Sequence, residues 1–248
     1  MDEPRDTHPM SPRYPSASHR TQPEECGGRS DTFAAQLGAS RSGCLRFTNG
    51  AHRVIIRTGL HLPGLYRASF GERMPIVEGR GRVVSIRYTR AASCDWTGNR
   101  PERPAEVALN AGIPWDVEVR GGASRLTADL SGLRLGSLKV AGGVSRLEVV
   151  LPAPSGIVTV VILGGASNVA IRRPAGVAVR LRLDGGATNL KFDEKHIGAA
   201  GGELDLRSRD YSGATDRYDI DITGGANNLS IDKQRESKEG ANFDREGE

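Results

Sequence analysis

Large aromatic side chains are scarce in this chain, since Phe, Trp and Tyr make up 5% of its 248 residues. A wide globular core needs such side chains to fill it, so their scarcity argues against a thick, multilayered domain. Glycine, in contrast, occurs 32 times. Because glycine accepts backbone angles that other residues avoid, the composition favours a thin core of Val, Leu, Ile and Ala with many tight corners.

Cysteine is equally sparse and is represented only by Cys26, Cys44 and Cys94. An odd, low number argues against a disulfide scaffold, and the lack of a CxxC pair argues against a zinc site. No histidine shows metal-ligand spacing, and the sequence contains no phosphate-binding loop and no GxSxG nucleophile motif. We therefore expect no metal, no cofactor and no enzymatic activity.

Long apolar runs are also missing. The N-terminal stretch lacks the apolar core of a signal peptide. No window approaches the roughly 20 apolar residues of a membrane-spanning helix. The expectation is a cytoplasmic protein without a membrane span.

The chain divides into four parts by composition. Residues 1–43 and 233–248 are polar and without periodicity, and are predicted to be disordered tails. Residues 44–104 hold short apolar runs separated by turn signals such as Asn49-Gly50, and are interpreted as a β segment that continues into or caps the repeat that follows. Residues 105–232 contain that repeat.

A Gly-Gly-type marker recurs five times in the repeat, with steps of 21, 22, 21 and 39 residues. The markers begin at Gly121, Gly142, Gly164, Gly185 and Gly224. Positions four and two before the marker, and two, five and seven after it, are apolar in every unit. The position two before is occupied by Val119, Val140, Ile162, Leu183 and Ile222.

Spacing by two is the period of a β-strand with one buried face. The phase changes across the marker, which predicts a corner between two strands. Units of this length that cannot bury their own apolar face stack on one another. The sequence thus predicts an all-β solenoid of coils of about 21 residues with Gly-Gly corners, in which the five residues two before the markers form one buried file. The last step is interpreted as a degenerate coil or an inserted hairpin.

The marker Gly-Gly-Ala-Ser-Asn-Val at residues 164–169 returns as Gly-Gly-Ala-Thr-Asn-Leu at residues 185–190. This pattern resembles bacterial β-solenoid domains of the putative-adhesin and cell-wall-active-antibiotics-response type, whose short strands are punctuated by similar glycine motifs. The resemblance covers about residues 107–232. It implies a β-solenoid fold and carries no catalytic signature.

Polar residues form two predicted columns just after the markers. The first column contains Ser124, Ser145, Ser167, Thr188 and Asn227, and the second contains Arg125, Arg146, Asn168, Asn189 and Asn228. Stacked hydroxyl and amide side chains bond from coil to coil, and a polar binding stripe is the alternative. We favour structural ladders, because stacking alone produces them.

Positive charge is concentrated in residues 44–90, which hold nine Arg and two Glu. The candidate ligand-binding residues are Arg53, Arg57, Arg80, Arg82, Arg87 and Arg90. Such a cluster can neutralise phosphates, although few aromatic residues lie between the arginines and no nucleic-acid-binding motif is present, so nucleic acid is a weak candidate.

The function predicted from the sequence is a non-catalytic bacterial scaffold or interaction module with a protein partner or a second copy of itself. The first alternative is binding of an anionic ligand (nucleic acid, polyphosphate or a lipid surface) through residues 44–90. The second is an enzyme acting on polysaccharides, for which carboxylates between Asp205 and Asp221 are the only candidates.

Overall fold

The computed structural model describes residues 32–38, 40–71, 74–88 and 103–234, and these residues form an all-β molecule. They contain nineteen strands, one 3-10 turn at Tyr211–Gly213 and no α-helix. The strands are β1 (Thr32–Gln36), β2 (Gly43–Thr48), β3 (Ala51–Gly59), β4 (Gly64–Ser69), β5 (Ile76–Arg80), β6 (Val83–Arg87), β7 (Ala105–Asn110), β8 (Pro114–Arg120), β9 (Ala123–Asp129), β10 (Arg134–Ala141), β11 (Leu147–Val150), β12 (Ile157–Leu163), β13 (Ala166–Arg173), β14 (Ala178–Leu183), β15 (Ala187–Phe192), β16 (Lys195–Ala200), β17 (Leu204–Arg207), β18 (Arg217–Ile222) and β19 (Ala226–Lys233).

The described strands form two open sheets. The ten-stranded sheet has the order β1-β4-β7-β3-β9-β11-β13-β19-β15-β16, and the nine-stranded sheet has the order β17-β14-β18-β12-β10-β8-β2-β6-β5. The inner pairs of both sheets are parallel, whereas the outermost pairs are antiparallel. Parallel pairing follows from the repeat, because each unit runs in the same direction as its neighbour.

One strand of the nine-stranded sheet and the next strand along the chain, in the ten-stranded sheet, form a unit that we call a rung. Seven rungs stack in the order β6–β7, β2–β3, β8–β9, β10–β11, β12–β13, β18–β19 and β14–β15. Their inward side chains form a single apolar core between the sheets. This core is one side-chain layer from each sheet, which explains how so few aromatic residues suffice.

The residues two before the markers lie in one buried file. In stacking order the file contains Ile86, Phe47, Val119, Val140, Ile162, Ile222 and Leu183, each 0% exposed. The five residues named from the repeat are all present. Their order differs from the chain order, because Ile222 lies between Ile162 and Leu183.

At each end of the stack, two rungs lie in an order that differs from their order along the chain. At the C-terminal end the chain passes from β12–β13 to the end rung β14–β15 and then returns to insert β18–β19 between them. At the N-terminal end the chain starts with β2–β3, adds the end rung β6–β7, and then continues with β8–β9 on the other side of β2–β3. The first and the last rung of the chain are therefore each enclosed by rungs on both sides.

A buried ion pair joins the two strands that lie on either side of the inserted strand β19. Arg173 ends β13, Asp193 follows β15, and β19 pairs with both of these strands. The guanidinium of Arg173, 1% exposed, donates two hydrogen bonds of 2.8 Å to the Asp193 carboxylate and one of 2.9 Å to the Val177 carbonyl. Removing one partner of such a pair leaves an uncompensated buried charge, which typically costs about 3–5 kcal/mol.

Buried hydrogen bonds hold the exchange at the other end. Trp115, at the start of β8, donates its indole N–H to the Asn110 carbonyl at 2.8 Å. The Asn110 side-chain amide in turn donates to the carbonyls of Leu62 and Gly64 at 2.8 and 2.7 Å. The connection from β7 to β8, which passes the intervening β2–β3 rung, is thereby fixed to the turn after β3.

The 39-residue step proves to be neither a degenerate coil nor a simple inserted hairpin. Strand β16 folds back antiparallel on β15, and β17 lies antiparallel on β14. The step thus covers the end rung on both sheets before the chain returns to β18. The repeat could not indicate these two strands because they do not carry its offsets.

The predicted N-terminal tail needs a correction. Thr32–Gln36, within the segment 1–43 that was predicted to be disordered, forms β1 and pairs antiparallel with β4. Phe33 gives this strand an anchor, since its ring meets that of Phe70 edge to face at 5.6 Å between centroids. Residues 1–31, 235–248 and Arg90 lie outside the described residues.

The corner glycines are required by close stacking of the backbone. A Cβ on Gly142 would lie 2.5 Å from the Gly122 nitrogen, and one on Gly224 would lie 2.5 Å from the Gly164 carbonyl carbon. Gly142 also has φ +131°, which L-residues rarely adopt. The glycines, more than the neighbouring alanines, therefore allow one corner to lie directly on the next.

We expect Gly224→Ala to lower the free energy of unfolding by about 2–3 kcal/mol, because its methyl group would collide with the backbone of the next rung. Gly156→Ala tests the backbone angle alone, since Gly156 has φ +75° and open space around it, and its loss should be about 1 kcal/mol. Gly213→Ala changes neither feature and should stay within about 0.5 kcal/mol. Urea unfolding measures all three, and equal losses for the first two would contradict the role of close stacking.

Candidate binding surfaces

The asparagines after the markers form a continuous ladder across three rungs. The side-chain amide of Asn228 donates to the Asn168 side-chain oxygen at 2.8 Å, and that of Asn189 donates to the Asn228 oxygen at 2.9 Å. Asn168 extends the ladder by donating to the Ser145 carbonyl at 3.3 Å. The three asparagines are arranged in the stacking order of their rungs, so Asn228 lies between Asn168 and Asn189.

A second property of these asparagines was not visible in the spacing. Asn168, Asn189 and Asn228 have φ values of 51°, 52° and 57°. Asparagine is among the few residues with a side chain that enter this left-handed region at low cost. The residue type at this position therefore serves both the ladder and the backbone.

The neighbouring hydroxyl column makes fewer side-chain contacts. Thr188 donates to the Asn227 side-chain oxygen at 2.9 Å, and a His52 ring nitrogen lies 3.0 Å from the Ser124 hydroxyl. The chain turns a sixth corner just before His52. Ala51 pairs in register with Ala123, the residue that follows the Gly121-Gly122 marker. Asn49-Gly50, interpreted from the sequence as a plain turn, thus occupies the position of a Gly-Gly marker.

The six candidate arginines do not form one cluster. Arg53 and Arg57 lie on β3 of the ten-stranded sheet, whereas the β5–β6 hairpin of the nine-stranded sheet carries the next three. On that hairpin Arg82 lies 3.4 Å from the Asp116 carboxylate and Arg87 lies 3.7 Å from that of Glu78. Arg80 is exposed at the end of β5, and Arg90 is outside the described residues.

Arginines that the sequence did not group meet at a groove on the ten-stranded sheet. Arg53, Arg103 and Arg125 line a cavity of about 510 Å³. Arg103 is 50 residues from Arg53 in sequence, and only the pairing of β7 with β3 brings the two together. The column containing Arg125 and Arg146 was the sequence signal that pointed to this place.

Two of the carboxylates of residues 205–221, those of Asp205 and Asp219, are engaged in structural contacts. Asp205 accepts hydrogen bonds from Arg180 at 2.7 and 3.1 Å and from Arg207 at 3.1 and 3.2 Å. These guanidinium groups lower the pKa of Asp205 to about 2. Asp219 accepts the Tyr211 hydroxyl at 2.7 Å. A carboxyl held so firmly in its ionised form is unsuited to general acid catalysis at neutral pH.

The described residues offer neither a cluster of metal ligands nor a reactive thiol. They contain no group of His, Cys, Asp and Glu side chains that could hold a metal ion. Cys44 is a free, buried thiol, and burial raises its pKa. Such a thiol is protonated and unreactive at neutral pH.

An apolar stripe crosses the outer face of the nine-stranded sheet. Strand β12 exposes Ile157 and Leu163, at 53% and 38%, with the exposed Thr159 and the half-buried Val161 between them. Large apolar side chains exposed together on the face of an inner strand are more typical of an interaction site than of an ordinary monomer surface.

Charged networks lie two strands away from β12 on either side. Toward the N-terminal end Glu118 accepts hydrogen bonds of 2.7 Å from Arg46 and from Arg120. Toward the C-terminal end lies the Arg180–Asp205–Arg207 network. An apolar centre inside a polar rim is the usual anatomy of a protein–protein interface.

Two comparisons place the chain among known proteins. A family model for the N-terminal domain of toast_rack, DUF2154, matches residues 77–172, less than half of the chain. A crystal structure of a putative cell adhesion protein from Clostridium sporogenes superimposes with a TM-score of 0.63 at 18% identity, and the match covers 82% of this chain and 98% of that one. The resemblance noted from the sequence is therefore confirmed at the level of the fold.

No curated protein matches the chain in sequence. Among the described residues, no helix is long and apolar enough to cross a membrane.

Substitution of Asn228 distinguishes a ladder from a binding stripe. Asn228→Gly keeps the left-handed backbone and removes the ladder, so we expect a loss of about 1 kcal/mol in the free energy of unfolding. Asn228→Ala removes both features and should lose about 1 kcal/mol more. The exposed Ser155→Ala is the control for urea unfolding. If Asn228→Gly unfolds like the wild-type chain, the ladder interpretation is wrong.

Proposed function

We propose that this chain is a non-catalytic β-solenoid scaffold that binds a protein partner through the outer face of its nine-stranded sheet. The observation that carries the proposal is the apolar stripe of Ile157, Val161 and Leu163 inside its charged rim. The same strand buries Val158, Val160 and Ile162 in the core on its other face. The stripe is thus held flat and rigid, which lowers the entropy lost on binding.

The ends of the stack favour a partner over a growing polymer of this chain. Each sheet ends in antiparallel strands, so a second copy could not continue the parallel stack. Charged side chains lie on the edge strands, among them Arg80 on β5 and Asp205 on β17. Exposed charges on an edge strand oppose pairing between sheets.

Three further points define the proposal. The adhesion-protein neighbour agrees with a binding role, and nothing supports a nucleic-acid partner. The Asp205 network supports structure and offers no general acid, which agrees with a protein that lacks catalysis. A cytoplasmic location stays a prediction from the sequence.

The proposal is tested by affinity capture from an extract of the source cells. The double variant Ile157→Ser/Leu163→Ser removes the stripe from the surface without changing the core. Leu60→Ser is the matched control, since Leu60 is 69% exposed in the turn after β3. We expect the wild-type chain and the control to retain the same protein, and the double variant to lose it.

The purified chain should also behave as a 26.5 kDa monomer in light scattering. Two results would contradict the proposal. One is equal capture by the double variant, and the other is an assembly that grows with concentration and persists in that variant.

A further inference from the structure

Two charges of opposite sign flank the apolar stripe on β12. Val161 pairs in register with Lys139 of β10 on one side and with Asp221 of β18 on the other. The Cα atoms of Lys139 and Asp221 are therefore about 9.6 Å apart, which is two strand spacings. Lys139 is exposed and Asp221 is half-buried. A partner that covers Val161 thus comes within reach of both charges.

The charges on neighbouring strands alternate in sign, and they leave Lys139 and Asp221 available to a partner. Glu118 lies in register beside Lys139, but its carboxylate already accepts hydrogen bonds of 2.7 Å from two arginines. Arg182 lies in register beside Asp221, but its guanidinium faces the Glu203 carboxylate at 4.0 Å. Within the part of the chain that the structure describes, neither Lys139 nor Asp221 forms an ion pair. A partner therefore meets a pattern of charge, with a cation on one side of the stripe and an anion on the other.

The spacing of these two charges matches the width of an α-helix. A helix with its side chains is about 10–12 Å across. Laid along β12, it would cover β10, β12 and β18 and stop short of the charged networks that start at β8 and β14. A second sheet would cover those networks as well, and the cost of desolvating their ion pairs can exceed the attraction within them. The width therefore favours one helix over a sheet.

The length of the stripe suits a helix of ordinary size that comes from another protein. From Ile157 to Leu163 the stripe extends about 20 Å along β12. A helix of about 13 residues has this length. The described residues of this chain contain no α-helix, so the described part of a second copy could not fill the place.

We propose that the partner docks an amphipathic helix along β12, with apolar side chains on the stripe, an acidic flank beside Lys139 and a basic flank beside Asp221. This inference rests on the proposed function, because it takes the stripe to be the binding surface. Burial of the apolar side chains supplies the affinity. The two charges fix the direction of the helix, because a helix turned end for end would bring like charges together.

Three labelled synthetic peptides test the proposal by fluorescence anisotropy with the purified chain. Each is an Ala-rich peptide of about 18 residues, long enough to form a helix alone, with the same stripe of leucines. The mixed peptide carries Glu on one flank and Lys on the other, and the other two carry Lys on both flanks or Glu on both. We expect the wild-type chain to bind the mixed peptide about fivefold more tightly than either of the others.

Reversal of each charge should change the preferred peptide. Lys139→Glu places carboxylates on both sides of the stripe and should prefer the all-Lys peptide, whereas Asp221→Lys should prefer the all-Glu peptide. Net charge alone cannot give this pattern, because the formal charge of +4 falls by only two in Lys139→Glu and stays positive. Should Asp221→Lys fold poorly by thermal unfolding, Asp221→Asn replaces it and should bind the mixed and all-Glu peptides equally.

Lys195→Glu is the matched control, because it makes the same charge change at an exposed residue of β16 on the other sheet. It should keep the wild-type order of affinities. The helix proposal is overturned if no peptide binds saturably, or if Lys139→Glu and the Asp221 variant keep that order. Either result, with capture still lost in Ile157→Ser/Leu163→Ser, would refute the helix alone, whereas equal capture by that double variant would refute the binding stripe as well.

Discussion

Backbone-to-backbone contact at the corners is the constraint on which the rest of the structure depends. Each rung lies one strand spacing from the next on both sheets, so the chain must turn from one sheet to the other without a side chain in the way. Gly142 and Gly224 satisfy this limit, because a Cβ at either position would lie 2.5 Å from the backbone of the next corner. Once the corners are aligned, apolar residues at fixed offsets form buried files, and polar residues beside the corner form ladders.

The stack also needs ends, and the molecule forms both in the same manner. The first and last rungs of the chain lie second from the ends, while internal segments supply the end rungs and the antiparallel strands that cover them. Arg173 and Asp193 enclose the inserted strand at one end, and Trp115 and Asn110 fix the exchange at the other. Neither the first nor the last rung of the chain can separate from the stack without breaking parallel pairing on both of its sides.

The repeat was readable from the sequence because five units place apolar residues at identical offsets. The β2–β3 rung escaped notice since Asn49 replaces the first glycine of its corner, and the β6–β7 rung because it has no Gly-Gly corner at all. The stacking order was not predictable, since every rung presents the same apolar pattern to its neighbours. The Arg173–Asp193 ion pair lies at the insertion, but its residues are only 20 apart in sequence and do not reveal it. The arginine groove was missed for the same reason, because strand pairing alone brings Arg103 to Arg53.

The exchanged order of rungs is tested most directly by disulfide cross-linking in a chain whose own three cysteines are replaced by alanine. Val161 and Asp221 are direct partners on β12 and β18, so Val161→Cys/Asp221→Cys should form a disulfide readily. Val161 and Arg182 are separated by β18, at about twice the strand spacing, so Val161→Cys/Arg182→Cys should remain reduced. The opposite result, with a disulfide only in the second variant, would show that the rungs stack in chain order and would contradict this account.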